Sequence, residues 1–504
     1  MEQPTSTGQP PLSLAALPRL APEQRPAVDP RELRPRVVHF GLGAFHRAHQ
    51  ALYTQNAAAL AGEPWGVAAV APRSAGTAEA LRRQDCLYSL TERRPEGTAT
   101  AAVGALVEAL EMRRHGARLT ELLASPDVTV VTLTVTEKGY HRSPHTGRLD
   151  LDDPGISADL TLPQEHEPAT VVGRLAAGLA ARLRAGGGAP ITLVCCDNMA
   201  GNGAALETVL RDFIGASAWP ERRALLEWMT ASVAFPSTVV DRIVPAATDG
   251  DRAAADAALG VRDEVPVVGE PYRQWVLEDR FAAARPRWEL DGALLVPDVL
   301  PYQVTKLRLL NGSHSALAYL GAVAGRATIS ETMREGWAPG LVRGLCAELA
   351  PTLPPGGPEP AAYADELVGR FGNPGMRHLL RQVGSDGSLK IPERWFGPLR
   401  HLRAGASPAP TPYLELALAA WANATRPGSD GGQLFGTEDP AAAELAACWT
   451  ADTAVPAGER DRSVVRRLLG TLGAPDLAED DALVAAVAAR LPALRAGRPD
   501  LHDG

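Results

Sequence analysis

Residues 36–50 read RVVHFGLGAFHRAHQ, and this stretch decides the fold of the first half of the chain. An apolar, β-branched run leads into Gly41 and Gly43, and helix-compatible residues follow to about Leu60. A strand, a glycine-rich turn and the start of a helix form the cradle that holds a dinucleotide pyrophosphate. Gly41 permits the tight turn, and Gly43 lets the backbone approach the phosphates. His46 stands where the third glycine of this pattern is expected, so the pattern alone leaves a plain strand-to-helix turn open.

Three more strand-like runs follow at the spacing of βαβ units, at residues 65–71, 128–136 and 191–196. The second run leads into Glu137, and the third leads into an Asp and then Asn198. Ligands bind at the carboxyl ends of the strands in an open parallel sheet. We therefore expect the glycine turn, Glu137 and Asn198 to lie at one sheet edge. This agreement favours the dinucleotide-binding interpretation over a plain turn.

The end of the predicted strand at residues 65–71 bears on the choice of cofactor. An acidic residue usually binds the adenosine ribose at this place, but residues 71–74 read APRS. Arg73 and Ser74 are suited to a 2′-phosphate, which keeps NADP open as an alternative to NAD. Arg73 stacking on the adenine or facing solvent are two further interpretations, and the sequence does not choose among them.

The second half of the chain is organised around residues 306–315, which read KLRLLNGSHS. The pattern predicts a helix that begins shortly after Pro301. On an α-helix turning about 100° per residue, Lys306, Asn311 and His314 fall within one arc of roughly 140°. Such a trio can take a proton from a hydroxyl, hold the oxygen and orient the substrate. A helix cap plus a satisfied core histidine is the alternative.

Composition limits the classes of function. The chain has 504 residues, 45% of them hydrophobic, which suits two to four domains of about 150 residues each. A net charge of -9 argues against a nucleic-acid or acidic-membrane binder. The five cysteines form no C-x-x-C pair, and no His/Cys cluster has zinc-ligand spacing, so we expect reduced thiols and no metal. No signal peptide or long apolar run is visible, so a cytoplasmic protein without a membrane span is expected.

The predicted fold class is α/β in the first half and all-α in the second. Residues 1–34 are expected to form a disordered or loosely attached tail. Residues 35–295 are expected to form a Rossmann-type dinucleotide-binding domain with a mostly parallel sheet, and residues 296–504 a mainly α-helical substrate-binding domain.

Six segments, taken together and in order, resemble the mannitol dehydrogenase family, the polyol-specific long-chain dehydrogenases. They are residues 41–50, 134–140, 196–198, 240–243, 270–275 and 306–314. The missing third glycine is itself part of the family pattern. The resemblance implies a metal-independent enzyme that exchanges hydride between a nicotinamide and a carbon of a polyol or aldonate. It also implies a monomer or a loose homodimer.

The resemblance assigns roles to individual residues. It implies that Lys306 is the general base, that Asn198 and Asn311 hold the reacting oxygen, and that His314 binds and orients the substrate. The implied cofactor site consists of Gly41, Gly43, Ala44, Phe45, Arg73 and Glu137, with Glu137 also linked to proton passage. The implied substrate contacts are Asp241 and Lys390.

Structural alternatives remain open for several of these positions. Asn198 is also suited to capping a helix, and Glu137 to an ordinary ion pair. Asp241 is also suited to pairing with Arg242 or Arg47. Lys390 is also consistent with a solvated loop lysine.

Within the family, residues 136–140, 242–248 and 272–275 look closer to the fructuronate reductases than to the mannitol 2-dehydrogenases. A sugar acid needs a cation for its carboxylate, and Lys138, Arg381 and Lys390 are candidates. The favoured couple is D-mannonate and D-fructuronate, with mannitol and fructose as the alternative. A dinucleotide-binding sensor without catalysis is the alternative from another class.

Overall fold

The computed structural model of the chain describes residues 8–73, 75–163, 166–405, 409–429, 432–450 and 456–499. The chain divides into two compact units, Met1–Val299 and Leu300–Gly504. The first is an α/β domain and the second is helical. The predicted fold class, a Rossmann-type domain followed by an all-α domain, is confirmed.

The described residues of the amino-terminal unit contain twelve strands. They are β1 (Arg34–Phe40), β2 (Trp65–Ala71), β3 (Tyr88–Arg94), β4 (Gly97–Val103), β5 (Leu106–Glu111), β6 (Val130–Leu133), β7 (Ile191–Cys195), β8 (Val233–Ala234), β9 (Thr238–Asp241), β10 (Val267–Gly269), β11 (Gln274–Glu278) and β12 (Leu294–Val296). Six of them form the main sheet in the order β5-β2-β1-β6-β7-β8, with every neighbouring pair parallel.

The side-chain pattern explains why these strands lie in the interior. Strand β2 is buried along its whole length, as a parallel strand covered on both faces requires. Strand β1 alternates, with Val38 and Phe40 in one hydrophobic core and Val37 in another. The sheet therefore separates two cores.

Nine α-helices lie within the described part of this unit. They are α1 (Ala44–Ala48), α2 (Gln50–Ala61), α3 (Ala75–Arg83), α4 (Gly116–Ala124), α5 (Pro154–Thr161), α6 (Val171–Gly186), α7 (Asn202–Ala216), α8 (Arg222–Ser232) and α9 (Asp249–Leu259). Short 3₁₀-helices cover Leu17–Arg19, Pro22–Gln24, Pro30–Glu32, Glu137–Tyr140 and Trp288–Asp291. The single helix expected after the glycine turn is interrupted at His49, whose φ of -123° and ψ of -89° are not helical.

Two three-stranded sheets complete the unit. Strands β10, β3 and β4 form one, and strands β12, β11 and β9 form the other. In the second, β11 runs antiparallel to β9 and parallel to β12. This sheet carries Asp241 at the end of β9, opposite Gln274 of β11.

The prediction of a loosely attached tail is wrong for the described residues that precede β1. Leu12, Leu17 and Leu20 are buried in a small core with Leu87 and other apolar side chains. The backbone N–H of Leu12 also donates to the carbonyl of Arg262 at 2.9 Å. Burial of these leucines stabilises the attachment, because each buried leucine contributes about 1.5–3 kcal/mol. Residues 1–7 lie outside the described residues.

The described residues of the carboxy-terminal unit contain thirteen α-helices. They are α10 (Leu300–Thr305), α11 (Gly312–Val323), α12 (Ile329–Thr332), α13 (Ala338–Leu349), α14 (Pro360–Phe371), α15 (Leu380–Gly384), α16 (Gly387–Ile391), α17 (Gly397–Arg403), α18 (Pro412–Ala424), α19 (Ala442–Thr450), α20 (Ala457–Thr471), α21 (Pro475–Ala478) and α22 (Asp481–Arg495). A 3₁₀-helix covers Ala350–Thr352. Helices α11 and α18 are buried on nearly all sides, consistent with their alanine- and leucine-rich sequences.

Two π-helical segments, Lys306–Asn311 and Pro392–Phe396, distinguish this unit. They pack closely: a β-carbon on Gly312, just after the first segment, would lie 3.3 Å from the indole nitrogen of Trp395 in the second. Lys306–Asn311 is π-helical, with i→i+5 hydrogen bonds and a wider turn, so the arc calculated for Lys306, Asn311 and His314 with α-helical geometry does not apply to this segment. π-Helical turns are rare and occur frequently at functional sites.

No helix within the described residues is long and apolar enough to cross a membrane.

Candidate active site

The glycine turn follows β1 and has a backbone that only glycine accommodates. Gly41 has a φ of +114°, and a β-carbon there would lie 2.0 Å from the carbonyl oxygen of Thr134. Its N–H donates to the carbonyl of Val70 at 2.9 Å, which fixes the turn against β2. Gly43 caps helix α1, and a β-carbon there would meet only the Gly41 carbonyl, at 3.9 Å. The space in front of Gly43 is therefore open.

This turn fits a dinucleotide pyrophosphate. The open space at Gly43 lets a phosphate approach the backbone, and the first N–H groups of a helix have no partner inside the helix. Ala44 and Phe45, which open α1, are half-buried beside this space, and Phe45 stacks on His49 at 5.0 Å between ring centroids. The residues present are thus suited to holding the cofactor by its phosphates.

A buried histidine stack supports the turn from below. His39 and His46 lie parallel with ring centroids 3.3 Å apart. His39 Nε2 donates to the Gly41 carbonyl at 3.1 Å, and its Nδ1 lies 2.7 Å from the Thr132 hydroxyl, which acts as donor. Burial lowers the pKa of His39 to about 3 and that of His46 well below its usual value, so both imidazoles are neutral. His46, in place of the third glycine, packs rather than reacts.

Three side chains that we call the strand-end network, Thr134, Asp197 and Tyr140, join the ends of β1, β6 and β7. The Thr134 hydroxyl donates to the Gly41 carbonyl at 3.1 Å. The Asp197 carboxylate accepts the N–H of Thr136 at 2.8 Å and the Tyr140 hydroxyl at 2.6 Å. Burial raises the pKa of Asp197, although these hydrogen bonds oppose the change.

The network holds a strained backbone beside the sheet edge. Thr136 has a φ of +68°, which is rare for a β-branched residue and costs on the order of 1–3 kcal/mol. The next residue, Glu137, is exposed at the start of the Glu137–Tyr140 helix. Asn198 is exposed directly after Asp197. Glu137 and Asn198, both predicted site residues, are thus carried on neighbouring strand ends that one carboxylate joins.

Two other predicted site residues of this unit, Arg73 and Asp241, lie outside the strand-end network. Arg73 is exposed just past the end of β2, and Ser74 lies outside the described residues. Asp241 is buried at the end of β9, in the second sheet. The Arg242 guanidinium forms an ion pair with Glu92 at 2.9 Å.

In the carboxy-terminal unit, three predicted residues lie on consecutive turns. Lys306 begins the first π-helix and Asn311 ends it, and both are half-buried. His314 lies on the first turn of α11. Burial keeps its pKa well below the usual value, with smaller contributions from neighbouring cations, so its imidazole is neutral.

His314, His378 and Arg394 form what we call the π-helical region. His314 stacks on Phe371 at 5.1 Å and lies 5.5 Å from His378, measured between ring centroids. The Nε2 atoms of both histidines are buried without a hydrogen-bond partner among the described residues. A neutral imidazole nitrogen in this position can bond to a substrate hydroxyl.

The predicted substrate cations are placed differently from one another. The Lys390 ammonium donates to the Ser385 carbonyl at 2.6 Å and lies 3.6 Å from the Asp386 carboxylate. Burial lowers its pKa. Arg381 is exposed and lines a separate surface cleft of about 360 Å³ with Tyr319 and other residues. Neither His314 nor Lys390 is among the described residues that line this cleft.

Several residues of the site are not predictable from the sequence. Asp197 stood inside a quoted motif, but nothing in the motif shows which backbone groups its carboxylate accepts. His378 and Arg394 lie 64 and 80 positions after His314, and only the fold brings them to it. Among the described residues, no group of three or more His, Cys, Asp or Glu could hold a metal ion.

The fold and the turn define a class: a Rossmann-type dehydrogenase with a helical second domain. The family model for the mannitol dehydrogenase Rossmann domain matches residues 35–290, and that for the mannitol dehydrogenase C-terminal domain matches residues 298–495. The chain belongs to the mannitol dehydrogenase family. It is an NAD(P)-dependent oxidoreductase that acts on a CH–OH group of a polyol or sugar acid.

Individual relatives span most of the chain. An uncharacterized oxidoreductase of Escherichia coli (strain K12) is 42% identical over 79% of this chain and 80% of its own length. The D-mannonate oxidoreductase of the same strain is 38% identical over 93% of this chain and 95% of its own. The ternary complex of Pseudomonas fluorescens mannitol 2-dehydrogenase with NAD and D-mannitol is 33% identical, has a TM-score of 0.75, and covers 96% of both chains.

Proposed function

We propose that the protein interconverts D-mannonate and D-fructuronate, using NAD. The observation that carries this proposal is the similarity to D-mannonate oxidoreductase, which extends over 93% of the chain. The cations near His314, which include Arg394 and Lys390, also favour a substrate with a negative charge.

In this proposal, Lys306 is the general base. It takes the proton from the substrate hydroxyl during oxidation and returns it to the ketone oxygen during reduction. Bound NAD supplies the acceptor for the hydride. Asn198 and Asn311 donate amide N–H groups to the reacting oxygen, and each such donor is worth roughly 2.7–4 kcal/mol in comparable sites.

The remaining residues bind and orient. His314 offers its buried Nε2 to a substrate hydroxyl, and Asp241 and Lys390 contact the substrate. Gly41, Gly43, Ala44 and Phe45 hold the cofactor phosphates.

Glu137, exposed beside the strained turn, passes the proton to solvent. Arg73 lies near the adenosine ribose, where it also permits a 2′-phosphate, so NADP is the alternative cofactor. We propose a monomer or loose homodimer, without a resident metal.

A second candidate is the oxidation of mannitol to fructose. It is favoured by the similarity over 96% of the chain to mannitol 2-dehydrogenase with D-mannitol. A dinucleotide-binding sensor is the alternative from another class, and it would bind cofactor without turnover.

The test is a steady-state assay of nicotinamide absorbance with D-mannonate, D-mannitol and D-arabinitol, each with NAD and with NADP. The proposal predicts the highest kcat/KM for D-mannonate with NAD. A higher value for D-mannitol supports the second candidate. Cofactor binding without turnover of any substrate supports the sensor.

A further inference from the structure

Arg394 lies against the turn that carries two of the proposed active-site residues. It projects from the second π-helix, Pro392–Phe396. Its Nη1 donates to the carbonyl of Asn311 at 3.1 Å and to the hydroxyl of Ser315. The two acceptors flank His314 in the sequence, so the guanidinium lies at the end of the first π-helix, next to the turn that carries His314.

Among the described residues, Arg394 forms no ion pair with an acid. Both Nη1 acceptors are neutral, and no carboxylate of the described chain lies within ion-pair distance of this guanidinium. Its Nε is buried without a hydrogen-bond partner among the described residues. Glu393, the neighbouring acid on its own helix, is exposed; its charge favours the charged guanidinium, but burial outweighs it and lowers the pKa of Arg394. A partly buried cation without an anion is unfavourable, and a bound anion removes that penalty.

The surroundings add to this positive charge. The cations that act on His314 are Arg394, Arg370 and Lys390, in that order. His378 lies 5.5 Å from His314 between ring centroids, but burial lowers its pKa to about 4, so it carries no charge at neutral pH. Lys390 is bonded to a backbone carbonyl and lies near the Asp386 carboxylate, so its charge is partly compensated. Arg394 is therefore better suited than Lys390 to a further anion.

Arg381, the one arginine predicted from the sequence to bind the substrate, is in a different setting. It is exposed and lines the separate surface cleft, where water already solvates its charge. Arg394 alone of these three cations combines a buried N–H without a partner and direct bonds to the Asn311 turn.

We propose that Arg394 binds the carboxylate of the sugar-acid substrate and so sets the preference for an acid over a polyol. This inference rests on the proposed function. D-Mannonate and D-mannitol have the same configuration and the same terminal CH₂OH beside the reacting carbon. They differ only at the far end, where mannonate carries a carboxylate. The planar guanidinium matches a carboxylate through two parallel hydrogen bonds, which a neutral CH₂OH cannot form.

The experiment compares kcat/KM for D-mannonate and for D-mannitol in the wild type and in Arg394→Gln. The variant is expected to lower the ratio of the two values by about 10- to 100-fold, because it removes a charge-assisted hydrogen bond to one substrate only. Arg394→Lys keeps the charge without the planar fork and is expected to lower the ratio less. It also provides the test if the glutamine variant does not fold.

Arg334→Gln is the matched control, because Arg334 is an exposed arginine of the same unit and the substitution changes the charge equally. It should leave the ratio unchanged. Equal losses for both substrates in the Arg394 variants, with a wild type that prefers D-mannonate, would overturn the inference and leave the proposed function standing. A wild type that prefers D-mannitol would overturn the proposed function and this inference with it.

Discussion

The strand-end network and the π-helical region treat their buried polar groups in opposite ways. In the network, each of the three side chains bonds to backbone or to another member. In the π-helical region, each of the three side chains has a buried nitrogen without a hydrogen-bond partner among the described residues. An unpaired buried polar group costs about 1–3 kcal/mol, so the second arrangement is less stable by itself.

This difference in hydrogen bonding indicates that the two regions have different tasks. The network uses its hydrogen bonds to fix a backbone shape, including the strained Thr136, before any ligand arrives. The π-helical region keeps its donors and acceptors for a ligand that completes them. We interpret the first as a rigid support for the cofactor and the second as a selective surface for the substrate.

The largest expected effect is at the glycine turn. Gly41→Ala places a β-carbon 2.0 Å from the Thr134 carbonyl and forces alanine into a left-handed conformation. We expect a loss of about 3 kcal/mol in cofactor binding or in unfolding free energy, since a strained backbone of this kind costs up to that amount. Isothermal titration with NAD and chemical unfolding measure the two quantities. Gly76→Ala, where a β-carbon meets nothing within 4 Å, is the control.

The next effect concerns the carboxylate of the strand-end network. Asp197→Ala leaves the N–H groups of Val135 and Thr136 without their acceptor, so we expect a loss of about 1–3 kcal/mol in unfolding free energy and a lower kcat. Asp197→Asn keeps one acceptor oxygen and should lose less. If both variants retain wild-type stability and kcat, the network does not support the turn.

A smaller effect is expected at the imidazole of the π-helical region. His314→Phe keeps a ring against Phe371 but removes the buried Nε2. A lost hydrogen bond to the substrate is worth about 1 kcal/mol, so we expect KM for the substrate to rise by roughly 5- to 10-fold. The KM for NAD should not change. A change confined to the cofactor KM would contradict the assignment.

The smallest effect is on acid stability. Burial lowers the pKa of His378 to about 4, whereas an unfolded histidine titrates near 6.5. Below pH 6.5 the unfolded chain therefore binds a proton that the folded chain does not, and the unfolding free energy falls as the pH falls toward 4. His378→Gln should reduce the loss between pH 6.5 and 5.5 by about 1 kcal/mol or less. Chemical unfolding at the two pH values measures this, with exposed His145→Gln as the control.

Much of the amino-terminal unit could be predicted because its signals are local. Strand β2 covers the predicted residues 65–71, since a buried parallel strand is recognisable from a continuous apolar run. Strand β6, by contrast, covers only Val130–Leu133 of the predicted run. The β-branched residues that follow are turned aside at Thr136 by hydrogen bonds to Asp197, and no local preference encodes such a distant contact.

The carboxy-terminal unit shows the same limit more strongly. Helical content there follows from periodicity, but a π-helix has no recognisable composition, so the facing of Lys306 and Asn311 was not predictable. The amino-terminal leucines were missed because the prolines around them suggested an extended tail. In the site, the glycine turn had a known pattern, whereas Arg394 is near His314 only because two π-helices pack together.

The most direct test of this division of tasks is Lys306→Ala, measured for both NAD affinity and turnover of D-mannonate. If Lys306 takes no part in holding the cofactor, the dissociation constant of the variant for NAD should stay within about twofold of the wild-type value. Loss of a general base predicts a kcat lower by at least about 10²-fold. Turnover that survives the substitution, or NAD binding that is lost with it, would contradict the account.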